Sequence, residues 1–331
     1  MVLYPRDSRY DGRLNTYYSK NAAQPPACMV VPLTTEDVAD IARTLSTQNC
    51  SFGMRSGAHS AFSGSNGLEG GVTVDFAYMN STVYHPSTGI ASVQPGSNWG
   101  NVYSALEPFG VTAVGGRASV VGVGGFTTGG GYSFHTGTQG FACNSVINFQ
   151  VILANGTIRA LKGGSRNFGF ITRIDISQVL GAYTNFINKI DRDLASQIIV
   201  TLLCHQKDCI LVAVLTNSQA QSTASAFNKF ARITNISSTA RTGTVAEIVP
   251  EFTGLTPLRL YARQGSNVLR LKEVVTKGPN QKLISRLLFK LKDNPILHYR
   301  RENIKFMRNV SRRYDPTGGF QHLRRTGFHI P

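Results

Sequence analysis

Arg55-Ser56-Gly57-Ala58-His59-Ser60 and Gly115-Gly116-Arg117-Ala118-Ser119-Val120-Val121-Gly122-Val123-Gly124-Gly125-Phe126-Thr127-Thr128-Gly129-Gly130-Gly131 are the stretches that decide the fold. Eight of the seventeen positions in the second are glycine, a density that makes sense where backbone must adopt positive φ or lie directly against a ligand. Two such loops in one domain point to a large phosphate-bearing cofactor. The run is not a Walker A loop, because no Gly-Lys-Ser/Thr closes it. It is also a poor dinucleotide fingerprint, because Thr127 stands where the third small residue belongs. What it keeps is the pattern of a backbone nest, successive N–H groups aimed at an anion such as a pyrophosphate.

Cys50 to Arg55 reads as a strand running into the first loop. Upstream, Met29-Val30-Val31 is a short strand, and Thr34 caps a helix. The apolar positions of that helix, Val38, Ile41, Ala42 and Leu45, fall at i, i+3, i+4 and i+7, with Glu36 and Asp37 in its first turn. Downstream, Val72, Val74 and Phe76 alternate, Ile90 to Val93 alternates again, and Trp99 to Leu106 follows as a helix. Beyond the glycine run, Phe149, Val151 and Leu153 lead into Asn155-Gly156, a strong hairpin signal, and Thr157 to Leu161 is the return strand. This half is an α+β domain. From about Asp191 the texture changes: Ile198 to Leu203 and Ile210 to Thr216 are apolar β-rich runs, and Ser222 to Ile233 carries a helical pattern, so a second α+β unit is expected.

The 331 residues suffice for about two domains, and 41% hydrophobic with 16% charged residues excludes disorder. No apolar run approaches the ~20 residues of a membrane span, and Met1 to Asp7 has no apolar h-region, so neither a membrane helix nor a signal peptide is expected within this chain. Five cysteines without CxxC spacing predict no metal site and leave one or two bridges open. Asn-x-Ser/Thr sequences at Asn80, Asn155, Asn235 and Asn309 would suit a secreted glycoprotein. The net charge of +16 is uneven: residues 1–254 hold 17 Lys+Arg against 14 Asp+Glu, leaving 17 against 4 for residues 255–331. A basic region can attract nucleic acid, an anionic surface or acidic substrates. Without a helix-turn-helix, zinc-finger or RNP-like pattern, a solvated helix face is the better reading.

Three motifs in order carry a family resemblance: Arg55 to Ser60, then Gly122-Val123-Gly124-Gly125 with Gly129-Gly130-Gly131-Tyr132-Ser133, then Tyr314-Asp315-Pro316-Thr317-Gly318-Gly319-Phe320. Together they resemble the FAD-binding pattern of the berberine bridge enzyme-like oxidoreductases. These belong to the vanillyl-alcohol oxidase and p-cresol methylhydroxylase group, which includes fungal oligosaccharide oxidases. The resemblance is dense over residues 24–175 and 295–331 and thin between. It implies an α+β fold, with a lead-in segment at 1–23 and a two-lobed p-cresol methylhydroxylase-type FAD-binding domain at 24–177. An abridged substrate-binding domain at 178–294 and a return to the FAD domain at 295–331 complete it. It further implies FAD as cofactor, a small-molecule substrate with O2 as acceptor, and an extracellular location. No nucleic acid, membrane or metal partner is implied.

Carried over residue by residue, the resemblance assigns cofactor contacts to Arg55, Ser56, Gly57, Ala58, His59 and Ser60, and to Gly122, Gly124, Gly125, Gly129, Gly130, Gly131 and Tyr132. It adds Cys143, Val146, Asn303 and Tyr314. His59 matches the histidine that bonds covalently to the flavin 8α carbon, a role needing a neutral imidazole. Ala58 replaces a usual glycine, which requires a negative φ there. Ala118 replaces the cysteine through which many relatives tether flavin a second time, so a single histidyl bond is implied. Cys143 also has the plain reading of a small buried residue, and Arg117 and His135 those of a surface salt bridge and a solvated turn. The sharpest departure is catalytic, because residues 285–292 contain no tyrosine where the family carries one over the flavin. Loss of a positioned base is worth about 10²- to 10⁴-fold, and Tyr299 is the candidate stand-in, with Tyr261 a weaker one. Three readings follow: an FAD-linked oxidoreductase acting on a CH–OH or C–H group, a catalytically impaired or truncated FAD-binding relative, and an anion- or nucleic-acid-binding module.

Overall fold

A four-stranded sheet in the order β1-β2-β4-β3 carries the first glycine loop. The computed structural model describes residues 1–162, 186, 192–205, 208–221, 223–233, 238–251, 301–324 and 329–331, so Tyr261, residues 285–292 and Tyr299 lie outside the described residues. The sheet is built from β1 (Val2–Leu3), helix α1 (Ser8–Leu14), β2 (Cys28–Val30), α2 (Thr35–Thr47), β3 (Phe52–Arg55) and β4 (Val72–Asp75). β1 runs antiparallel to β2, while β2 and β3 both run parallel to β4. The segment expected as a lead-in therefore supplies an edge strand. α2 begins at Thr34, whose Oγ1 accepts from the Asp37 N–H at 3.1 Å while the Asp37 carboxylate accepts from the Thr34 N–H, a reciprocal cap that satisfies two orphan donors. Its Leu45 packs with Phe52 and Val74 beneath the sheet.

β5 (Thr82–His85) and β6 (Ile90–Val93) form an antiparallel hairpin with Thr82 opposite Val93. β5 was not expected, because only alternate residues of its four are even half-buried. The Pro86 to Gly89 turn was its available signal, with Gly89 at φ +67°. α3 (Trp99–Leu106) is capped by Asn98 and buries Trp99, Val102, Tyr103 and Leu106. α4 (Val123–Thr128) and α5 (Thr136–Gln139) follow, then β7 (Asn148–Ile152) and β8 (Ile158–Lys162), joined through Asn155-Gly156 with Gly156 at φ +79°.

In the second unit β9 (Ser196–His205) and β10 (Asp208–Asn217) make one long hairpin whose register sets Cys204 opposite Cys209. The helix expected over 222–233 is reduced, within the described residues, to a single 3-10 turn at Ser225–Phe227. Ser, Thr and Asn there compete for backbone hydrogen bonds. α6 (Val245–Ile248) delivers Val249 to the core around Trp99. α7 (Arg301–Tyr314) has no buried residue and exposes Arg301, Lys305, Arg308, Arg312 and Arg313. α8 (Gly319–His322) brings the chain back to the first sheet. The Asp315 carboxylate accepts from the Gly319 and Phe320 N–H groups at 2.7 and 2.9 Å, Phe320 meets Phe52 edge-on, and the Phe52 N–H donates to the Leu323 carbonyl. Among the described residues no helix is long and apolar enough to cross a membrane, and no His/Cys/Asp/Glu group could hold a metal.

Candidate functional site

β3 ends by pressing the first glycine loop against the second. A Cβ on Gly57 would fall inside the backbone of Gly122, and a Cβ on Gly122 inside that of Gly57. Ser56 clamps this junction: its hydroxyl donates to the Pro95 carbonyl at 2.6 Å and accepts from the Gly124 N–H at 3.3 Å. The Val123 N–H is taken by the Ser97 carbonyl at 2.9 Å. The expected anion nest is thus corrected. Two of its N–H groups are spent inside the protein, and Gly57 and Gly122 are glycines because two backbones touch there.

Gly125 is different. Its φ is not left-handed and, among the described residues, nothing lies within 4 Å of an added Cβ, so no contact there requires glycine. Room is kept beside it, as a cofactor lying against the helix would need. Gly125→Ala is therefore expected to raise the stability of cofactor-free protein by up to about 1 kcal/mol through helix propensity and to weaken FAD binding. Urea midpoints and FAD titration on one preparation check the opposite signs. Gly130 and Gly131 do adopt left-handed φ, +99° and +78°, and their carbonyls accept from the N–H groups of Cys143 and Ala142. Cys143 is half-buried with a free thiol.

His59 stands next to the junction, half-buried, its imidazole stacked on Tyr18 with ring centroids 4.0 Å apart and planes 17° from parallel. Burial pulls its pKa below the ordinary histidine value, favouring the neutral ring. Ala58 overturns the expectation of negative φ: it sits at +51°. Its methyl is buried with Tyr17 and Ala22, and its carbonyl accepts from the Tyr18 N–H at 3.1 Å. A left-handed alanine costs about 1–2 kcal/mol, while its buried methyl contributes about 0.8 kcal/mol. Ala58→Gly should therefore stay within about 1 kcal/mol of the parent in urea unfolding, whereas β-branched Ala58→Val should lose more than about 2 kcal/mol.

Arg55 does not turn toward this surface. Only 1% exposed, it pairs with Asp75 at 3.4 Å, donates to the Arg13 carbonyl at 2.6 Å and to the Thr16 hydroxyl, and lies 4.1 Å from the Tyr17 ring centroid. Arg13 adds a two-pronged bond to the same carboxylate at 2.8 and 2.9 Å. Tyr18, Arg13 and Asp75 were missed in the sequence. The adjacent Tyr17-Tyr18 in an otherwise polar segment was the signal that could have found them.

Arg117 is not a surface ion pair: its guanidinium lies 4.8 Å from the Tyr132 ring centroid, and no salt bridge reaches it among the described residues. Burial lowers its pKa. His135 is half-buried, its Nε2 without a partner among the described residues, rather than in a solvated turn. Ser60 and Val146 are half-buried, Asn303 is exposed on α7, and Tyr314 carries Arg313 5.3 Å from its ring. A largely apolar cavity of about 1430 Å³ opens between α2 with its sheet and the hairpins beyond. It reaches Gly124, Thr127 and Val146, and neither Gly57 nor His59 lines it. The Thr127 hydroxyl on its wall is buried without a partner among the described residues, a group a bound ligand would satisfy. The orphaned hydroxyl fits a polar group bound in this cavity, whereas Gly125 does not line it and is exposed on the other side of α4.

Residues 26–162 match the family model described as an FAD binding domain. The chain is 35% identical over 289 residues to the FAD-dependent monooxygenase sdcF of Emericella nidulans, covering 76% of this chain and 60% of that protein. It is 34% identical over 291 residues to the FAD-dependent monooxygenase drtC of Aspergillus calidoustus, covering 74% and 54%. The chain thus spans little more than half the length of these curated relatives. Among solved structures, 6-hydroxy-D-nicotine oxidase from Arthrobacter nicotinovorans superposes with a TM-score of 0.60 at 20% identity, over 76% of this chain and 64% of that one, a likeness of fold. Residues 26–162 are thus an FAD binding domain, and the chain has the fold of the p-cresol methylhydroxylase-type flavoproteins.

Proposed function

We propose that the chain holds FAD covalently through His59 and oxidises a CH–OH or C–H group of a small molecule by hydride transfer, with O2 as the final acceptor giving H2O2. The observation that supports this most is the Gly57–Gly122 junction, which presses the loop carrying a half-buried imidazole, its pKa lowered by burial, against the glycine run of an FAD-binding domain. FAD, when bound, supplies the two-electron acceptor, and the chain supplies binding and orientation. For the tether, the imidazole N–H and the 8α methyl each give up one hydrogen as the N–C bond forms, and both hydrogens leave on O2 as H2O2. Among the described residues Gly125 and Gly130 have open space and the Thr127 hydroxyl is unpartnered, and Ala118 leaves the tether single. Tyr299 is the candidate acceptor of the substrate's hydroxyl proton. Intact mass under denaturing conditions tests the assignment: one flavin-sized increment is expected on the His59 peptide, and protein that stays colourless after added FAD ends it.

The names of the curated relatives favour a second reading, in which O2 places an oxygen atom in the product. Turnover under ¹⁸O2 separates the two, since label in the product supports monooxygenation and label in peroxide alone supports oxidation. The missing tyrosine over residues 285–292 favours a third, an impaired flavoprotein, which bleaching of bound flavin by any member of an alcohol and sugar panel refutes.

A further inference from the structure

We infer that Tyr18 is the positioning residue for the His59 imidazole: its ring, carried by a segment outside the FAD-binding-domain match, holds that imidazole in the single orientation from which flavin is attached. The inference rests on the covalent reading of His59 proposed above. It starts from a juxtaposition that residues 26–162 do not contain, since the partner ring comes from residue 18.

Three sets of contacts hold Tyr18 where it stacks. The Tyr18 N–H is bonded to the Ala58 carbonyl at 3.1 Å, so the two stacked side chains hang from backbones joined one residue apart. Tyr17, next in the chain, packs its ring on the Ala58 methyl and under the Arg55 guanidinium. Arg13 and Thr16 are bound to Asp75 and Arg55, the last residues of β4 and β3. The segment from Arg13 to Tyr18 is therefore riveted to the end of β3, from which the loop departs, and to the end of its neighbour β4. The left-handed turn at Ala58 then aims the next side chain at Tyr18. Residues held in such a conformation persist where their surroundings over-determine them, and here the surroundings are the N-terminal segment.

Stacking acts through the ring face. Among the described residues no hydrogen bond engages the Tyr18 hydroxyl, and Tyr18 is the aromatic partner of His59. The imidazole's terminal torsion is intrinsically broad, and an aromatic pair biases it by a factor of about two to ten. A misplacement on the order of 1 Å slows bond formation about a hundredfold. Loss of the ring is therefore expected to slow attachment by about 10- to 100-fold while leaving the glycine loops able to bind FAD. The attachment itself balances as written above, with O2 as the oxidant.

The test uses full-length protein prepared without flavin, mixed with FAD in air, and sampled over time for flavin that survives denaturation on the His59 peptide. Wild type and Tyr18→Phe are expected to load at equal rates, and Tyr18→Leu to bind FAD but load about 10- to 100-fold more slowly. Equal loading by Tyr18→Leu overturns the inference and leaves covalent attachment standing. Wild type that binds FAD but never retains it overturns the covalent reading and this inference with it. If Tyr18→Leu fails to fold, proton NMR of the flavin-free wild type and of Tyr18→Phe decides. His59 ring protons shifted upfield by the neighbouring ring in both support the stack, and unshifted protons refute it.

Discussion

His59→Ala protein is expected to fold, to bind FAD, and to release all of it on denaturation. The fold should survive because, among the described residues, the half-buried imidazole makes one aromatic contact, with Tyr18, and that pair contributes about 0.5–1.5 kcal/mol. Binding should survive because the Gly57–Gly122 contact, the Ser56 clamp and the open side of Gly125 do not involve the side chain. What disappears is the N–C bond, so the denaturation-resistant flavin falls from the whole population to none. Any flavin still retained would have to sit elsewhere, with the free thiol of Cys143 the first place to look, and the assignment of His59 would fail. The pH dependence has a definite sign. Burial lowers the folded-state pKa of His59 below its ordinary value, so its contribution to stability is present above that ordinary value. It is lost as pH falls through the lowered one, where protonation also removes the nucleophile. Attachment should therefore persist at pH values where an exposed histidine would already be charged.

Local signals in the sequence reached as far as each element and stopped where distant segments meet. The capped helix from Thr35 to Thr47, the helix from Trp99 to Leu106 and the Asn155-Gly156 hairpin were legible because period, cap and turn chemistry are written into adjacent residues. The two glycine loops were legible as the signature of an FAD binding domain, but the packing of the individual glycines was not. Gly57 and Gly122, 65 positions apart in the chain, fill one another's space, whereas Gly125 faces open room among the described residues. The same pattern letter thus covers a glycine that a backbone contact requires and one that no contact among the described residues requires. Arg55 looked like a ligand contact and proved to be a buried strut, because its partners Arg13, Thr16 and Asp75 come from two other segments. Ala58 was misjudged for the same reason: its left-handed φ is imposed by Tyr17, Tyr18 and Ala22.

Asp75→Asn is expected to cost about 3–5 kcal/mol, a large share of the roughly 5–15 kcal/mol that keeps a domain folded. The Asp75 side chain is fully buried and faces two guanidinium groups, Arg13 at 2.8 Å and Arg55 at 3.4 Å, with side-chain exposures of 26% and 2%. An amide has nearly the same shape but no charge, so the Arg55 cation would stay buried without its counter-ion. Arg55 has little reserve, since its Nε already lacks a partner among the described residues. The loss belongs to the stranded charge more than to the pair, which gives a second expectation: Arg55→Met combined with Asp75→Asn should be less destabilised than Asp75→Asn alone. Urea midpoints at unchanged m-value measure both, and equal or greater loss in the double variant would show that the cluster stabilises by packing instead. Because Arg13, Thr16 and Tyr17 are anchored on this ion cluster and Tyr18 follows them, weakening it should also loosen the aromatic stack on His59. A conservative change at Asp75 is thus expected to slow flavin attachment at a residue it does not touch.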